Sequence, residues 1–184
     1  EPVATTVDNP ASSVVAYSGT WAALTGDTSN PPKFYAGTRM SSSTVGSYVD
    51  FTFTGNGARI YGSKHSDYGK LSVSIDGGAP MVVDCYDTGL NWQYMAKLYE
   101  ITGLASGTHT LRATIATKTA AATANNISID CFQSLVGGSP VASADYQFGT
   151  STATYASTDS DAGSTAGSMA FGAGITAGGI STTS

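Results

Sequence analysis

The sequence has 184 residues, 41% of them hydrophobic and 11% charged, enough to bury one sizeable core and too few for two ordinary domains. Eight Lys and Arg against 13 Asp and Glu give a formal net charge of -5, which excludes the basic surface that nucleic acids and anionic membranes require. The longest uncharged stretch, at the C-terminus, is Gly, Ala, Ser and Thr rather than Leu, Ile and Val, so no membrane insertion is expected.

Residues 1–12 read as an extended lead-in, and Glu1 in the place of an initiator Met suits a processed product or a segment of a longer protein. From residue 13 to 136 apolar side chains recur at every second position, the spacing of a strand with one dry face. Val49, Phe51 and Phe53 alternate with Tyr48, Asp50 and Thr52. Leu71, Val73 and Ile75 alternate with Ser72, Ser74 and Asp76, and His109, Leu111, Ala113 and Ile115 alternate with Thr110, Arg112 and Thr114. Ile127, Ile129 and Cys131 repeat the pattern. Gly55-Asn56-Gly57, Asp76-Gly77-Gly78 and Ser106-Gly107 supply turns to reverse such strands. The spacing predicts an all-β fold, a two-sheet antiparallel sandwich or jelly roll. Residues 137–184 form a Gly/Ala/Ser/Thr-rich C-terminal extension whose only charges are Asp145, Asp159 and Asp161, with the boundary at Gly137-Gly138-Ser139-Pro140.

Four phrases carry a resemblance: Tyr17-Ser-Gly-Thr-Trp21, Gly46-Ser-Tyr-Val-Asp-Phe-Thr-Phe-Thr-Gly55, Val73-Ser-Ile-Asp-Gly77, and Ile101-Thr-Gly-Leu-Ala-Ser-Gly-Thr-His-Thr-Leu111, followed by Ile129-Asp130. Together they resemble the galactose-binding-like β-jelly-roll superfamily, found in carbohydrate-binding modules, in N-terminal modules of some acetylesterases and in phage tail or fibre proteins. The resemblance implies an eight-stranded, non-catalytic sandwich that binds glycans through edge loops or one concave face. In residues 103–107 the glycines let the chain turn twice while Leu104 points inward. His109 falls on the apolar side of its strand, which suits a core histidine bonded to backbone carbonyls better than a base.

No Gly-x-Ser-x-Gly elbow, carboxylate pair or phosphate-cradling loop stands out, so the chain is expected not to be an enzyme and to need no cofactor. Asp84 and Asp87, flanking Cys85-Tyr86, are the candidate ligands for a structural calcium of the kind related jelly rolls often carry. Sugar recognition wants a flat aromatic face for the C–H side of the ring and polar groups for its hydroxyls. Tyr86, Asp87, Asn91, Trp92 and Gln93, in the segment ending at Tyr94, fit that need best. Trp92 has two readings, a platform for a glycan or a side chain packed beneath its own loop. His65, Asp67 and Tyr68, with Lys64, form either a second binding loop or a solvated connection. Lys33-Phe34-Tyr35 and Arg39 would line another side of the same site. Trp21, in the first-strand phrase, is expected to be buried.

Cys85 and Cys131 take inward positions, as one bridge or, by preference, as two free thiols. The extension threads Val141, Tyr146, Phe148, Tyr155, Met169, Phe171, Ile175 and Ile180 among small residues, which suits either a linker or a homo-oligomer packed through residues 138–184. Sparse charge with abundant Ser, Thr and Tyr suits an extracellular, cell-surface or virion location. The function expected is that of a glycan- or polysaccharide-binding adhesion module. A structural subunit of a phage virion or surface filament and an accessory domain of an esterase or glycosidase are the alternatives.

Overall fold

The computed structural model describes residues 2–89, 92–137, 152–155 and 167–170. The two-residue alternation sets its core. In β5 (Tyr48–Lys64) Val49, Phe51 and Phe53 are buried and their neighbours half-exposed, and β6 (Lys70–Ile75) buries Leu71 and Val73 in the same way. In β8 (Gln93–Ala116), Leu111, Ala113 and Ile115 turn inward.

Two antiparallel layers share β5 and β8. In the first layer, Tyr48–Gly55 pairs with Gly107–Thr114; β2 (Val15–Ser18) lies beyond β5, while β6 and then β7 (Met81–Asp84) lie beyond β8. In the second, Gly57–Lys64 pairs with Gln93–Thr102 and, on its other side, with β9 (Ile127–Val136). β1 (Val3–Asp8) and β4 (Arg39–Ser42) occupy successive lengths of the free edge of β9, and β3 (Ala22–Leu24) lies outside β4. Phe51 of the first layer stacks on Phe132 of the second, ring centres 4.8 Å apart and planes at 23°. Each ring is almost fully withdrawn from water, which stabilises the sandwich by about 2 kcal/mol per side chain. The all-β antiparallel sandwich is the fold the alternation predicts.

Three local expectations need correcting. Gly55-Asn56-Gly57 does not reverse the chain: β5 runs through it with a register shift that carries the strand from one layer into the other. A Cβ at Gly55 would stand 2.3 Å from the Leu135 carbonyl oxygen, so glycine is needed for the neighbouring strand to close in. The Gly103–Gly107 segment likewise stays within β8 instead of turning twice, although Leu104 does pack against the core. Finally, β9 is dry on both faces from Ile127 to Phe132, because Asn9 and the Tyr35 backbone cover the side away from the sandwich interior. The turn at Asp76-Gly77-Gly78 forms as expected, with Asp76 at φ 52°, Gly77 at φ 72° and the Gly78 N–H donating to the Ile75 carbonyl at 2.8 Å.

The chain divides into two units, Glu1–Pro140 and Val141–Ser184. In the second, β10 (Thr152–Tyr155) pairs antiparallel with β11 (Gly167–Ala170). Val141, Tyr146, Phe148, Phe171, Ile175 and Ile180, together with residues 138–140 of the expected boundary, lie outside the described residues. No helix among the described residues is long and apolar enough to cross a membrane.

Candidate functional site

Beyond the end of β5 the chain bends sharply, the Tyr68 N–H donating to the His65 carbonyl at 3.1 Å. Asp67 fixes the bend: its carboxylate accepts from His65 Nδ1 at 2.5 Å and from Asn126 Nδ2 at 2.8 Å. Burial works to raise the Asp67 pKa, but the bonds from His65 and Asn126 outweigh it and hold the carboxyl below its usual range. The Asp87 N–H also donates to the His65 carbonyl, at 3.2 Å, tying the next loop to the first.

That loop delivers an aromatic array. Trp92 stacks on His65 with ring centres 4.2 Å apart and planes at 12°, and Tyr68 meets Trp92 edge-on at 5.4 Å. Tyr94 lies parallel to Trp92 at 5.9 Å and takes Phe34 edge-on at 5.4 Å. Lys33 Nζ sits 5.7 Å from the Tyr94 ring centre and the Arg39 guanidinium 5.2 Å from that of Phe34. Burial pushes the Tyr68 phenol up to about 12, so its hydroxyl stays protonated.

Two grooves meet here, sharing Arg39 and Trp92. One, of about 360 Å³, is bounded by Trp21, Tyr68 and Trp92 on its aromatic side and by Thr20, Ser41, Ser42, Ser43, Thr44 and Asn126 on its polar side. The other, of about 310 Å³, runs from Leu24–Asp27 to Lys33, Phe34 and Tyr94. Both have the size of small-ligand sites, with flat rings beside hydroxyl and amide groups.

The sequence-predicted residues divide clearly. Trp92, Tyr68, His65 and Asp67 come together, joined by Lys33, Phe34 and Arg39. Trp92 is 37% exposed, so it does not pack beneath its loop as a satellite core. Asp87 and Gln93 bond each other at 2.7 Å, Asp87 also accepts the Gly89 N–H at 2.6 Å, and neither they nor the half-buried Tyr86 borders the two grooves. Asn91 lies outside the described residues. Trp21 is half-buried and packs against the edge of the core: its Nε1–H donates to the Ser18 carbonyl at 3.1 Å and its ring borders the first groove. Sequence reasoning missed the residues of the polar wall, of which the run of hydroxyl residues Ser41–Thr44 carried a signal and Asn126 did not.

His109 is not enclosed by carbonyls alone: Nε2 bonds the Ala105 carbonyl at 2.8 Å, but Nδ1 bonds Asp76 at 2.7 Å, in a half-exposed position over Phe53. Cys85 and Cys131 are free and buried, and burial pushes both thiols up to about 12, too high for reactive thiolates. Among the described residues neither imidazole is bonded to a Ser, Thr or Cys side chain, the contact that nucleophile activation requires.

A calcium ion does not fit Asp84 and Asp87. Asp84 caps the Tyr86 N–H at 3.0 Å, Asp87 is engaged by Gly89 and Gln93, and no group of three or more His, Cys, Asp or Glu suited to a metal occurs among the described residues. Better oxygens for a hard cation lie at the end of β1, where Asp130 Oδ2 and Asn9 Oδ1 are buried without a partner near Asp8. Burial pushes the Asp130 carboxyl up to about 6, a direction the Asp8 charge reinforces and the Tyr35 N–H opposes.

No protein-family model matches the chain. It is 33% identical over 111 residues to the A type blood N-acetyl-alpha-D-galactosamine deacetylase of Flavonifractor plautii, a match covering 60% of this chain and 13% of that protein. It is 30% identical over 112 residues to the A type blood alpha-D-galactosamine galactosaminidase of the same organism, covering 61% of this chain and 10% of the other. The chain thus spans only a small part of the length of these relatives. A two-domain esterase active on acetylated mannans shares the fold with a TM-score of 0.55 at 12% identity, over 72% of this chain and 37% of the esterase. That likeness shows the fold alone, an all-β sandwich.

Proposed function

We propose that the sandwich, β1 to β9, is a non-catalytic carbohydrate-binding module, displayed outside the cell, that holds a glycan in the paired grooves around Arg39 and Trp92. The observation that carries this is the meeting of the two grooves at those residues, with Trp21, Tyr68, Trp92 and Tyr94 on one side and Ser, Thr and Asn side chains on the other. Aromatic faces cover the C–H side of a sugar while hydroxyl and amide groups exchange hydrogen bonds with its hydroxyls. A binding role also suits two histidines committed to carboxylates, without a nucleophile beside them.

The relatives support an accessory role. Two proteins named for action on amino sugars contain a stretch similar to this chain that makes up 13% and 10% of their lengths, the proportion of an appended module rather than of a catalytic domain. The module would then hold its parent protein on a glycan while chemistry proceeds elsewhere.

The test is titration of the chain with soluble mannan, galactan, xylan, pectin and chondroitin sulfate, together with a glycan array, followed by Trp92→Ala. Binding to at least one glycan is expected, and the alanine variant should lose about tenfold or more of it. Absence of binding to every glycan offered removes the proposal.

A further inference from the structure

We infer that the ligand of these grooves is an acidic glycan, whose carboxylate or sulfate group is received by Arg39; this rests on the glycan-binding function proposed above. The chain has three arginines. Arg59 is paired with Glu100 and bonded to Gln133, and Arg112 is held by both oxygens of Asp50 at 2.7 Å each. Arg39 has no carboxylate partner among the described residues, and its Nε is buried without an acceptor. A half-buried guanidinium left without a counter-ion is costly, and a planar anion is the partner its fork matches.

The position matters as much as the missing partner. Arg39 stands where both grooves meet, and Lys33, also without a carboxylate within ion-pair reach among the described residues, borders the second groove. Asp27 is the acid on these walls, and its oxygens already accept from the Ser29 N–H and hydroxyl and from the Lys33 N–H. Asp27 stays ionised and its charge interacts with that of Lys33, so within a chain of net charge -5 the two grooves carry two cations, Arg39 and Lys33, against one carboxylate. That arrangement attracts anionic sugars and disfavours cationic ones.

The experiment compares polygalacturonate (carboxylate) and chondroitin sulfate (sulfate and carboxylate) with neutral galactan and mannan, using the full chain at low and high salt. Arg39→Gln removes the cation, Arg39→Lys keeps a point charge without the fork, and Arg112→Gln removes a surface arginine of equal charge. Binding of at least one acidic polymer about tenfold or more tighter than of either neutral one is expected, falling with salt. Arg39→Gln should lose most of that preference, Arg39→Lys part of it and Arg112→Gln little. Loss of chondroitin sulfate binding on enzymatic desulfation names sulfate as the recognised group, and binding retained by desulfated chondroitin or polygalacturonate names the carboxylate. Equal binding of neutral and acidic glycans, or an acidic preference unchanged in Arg39→Gln, overturns the inference and leaves the module standing. If no glycan of either kind binds, both fall. Thermal unfolding of each variant separates lost recognition from lost fold.

Discussion

The imidazole of His65 lies flat against the indole of Trp92, 4.2 Å between ring centres, while Asp67 grips its Nδ1. The indole is therefore set before any ligand arrives, which lowers the entropy cost of using it as a contact surface. His65→Ala should loosen Trp92, red-shift tryptophan emission and weaken glycan binding severalfold. The loss of fold stability should stay within about 0.5–1.5 kcal/mol, as for one aromatic contact. Unchanged emission and affinity in this variant would show that the stack does not position Trp92.

Phe132→Ala opens a cavity opposite Phe51 at the centre of the sandwich. A loss of about 3–5 kcal/mol is expected, read as a lower denaturation midpoint in urea with little change in slope. A loss below about 1 kcal/mol would mean that the layers are not joined by this pair.

Backbone proximity gives a sharper contrast. A Cβ at Gly62 would lie 2.1 Å from the Ser128 carbonyl oxygen, whereas at Gly107 the nearest atom within reach is His109 Nε2 at 4.0 Å. Gly62→Ala should separate β5 from β9 and lower the melting temperature by many degrees, while Gly107→Ala should be nearly neutral. Equal tolerance of both substitutions would contradict the pairing of β5 with β9.

The Asp76–His109 pair sets a pH trend. The Asp76 carboxylate, and secondly the Ala105 carbonyl, raise the His109 pKa above its ordinary 6.5. That contribution to stability is whole below the unfolded value and is lost as pH rises through the folded one. For Asp76, the bonds from His109 and the Thr110 N–H lower the pKa below its ordinary 3.8, so its contribution is present above that value and lost as pH falls through the folded one. The melting temperature should therefore fall from about pH 6 to about pH 8.5 more in the wild type than in His109→Gln. Parallel curves for the two proteins would deny the pair any such role.

The orphaned oxygens at the end of β1 give a metal test. Calcium at millimolar concentration should raise the melting temperature at neutral pH by engaging Asp130 Oδ2 and Asn9 Oδ1, and Asp130→Asn should abolish the response. A wild-type melting temperature indifferent to calcium removes the ion from this place.

The strands were legible where burial has a period of two, as at Val49, Phe51 and Phe53, because one dry face leaves its mark on a short run of sequence. Gly55 and Gly57 were not, since a bend between layers and a reversing turn use the same residues; the Leu135 and Ile101 carbonyls that demand glycine there come from distant strands. The candidate site divides in the same manner. Trp92 and His65 each stood out in a polar, aromatic loop, but their stacking depends on the tie between the Asp87 N–H and the His65 carbonyl. Trp21 was expected to be buried because it belongs to the first-strand phrase; the turn bonding its Nε1–H to the Ser18 carbonyl leaves its ring at the groove.

The passage of β5 and β8 through both layers makes the two sheets mechanically one body. Neither can melt and leave the other standing, so the domain should unfold in a single step, with fluorescence from Trp21 and Trp92 sharing one midpoint with circular dichroism of the backbone. A protein engineer grafting the module would have to transplant both shared strands whole, because a cut at Gly55 removes the spine on which each half is built.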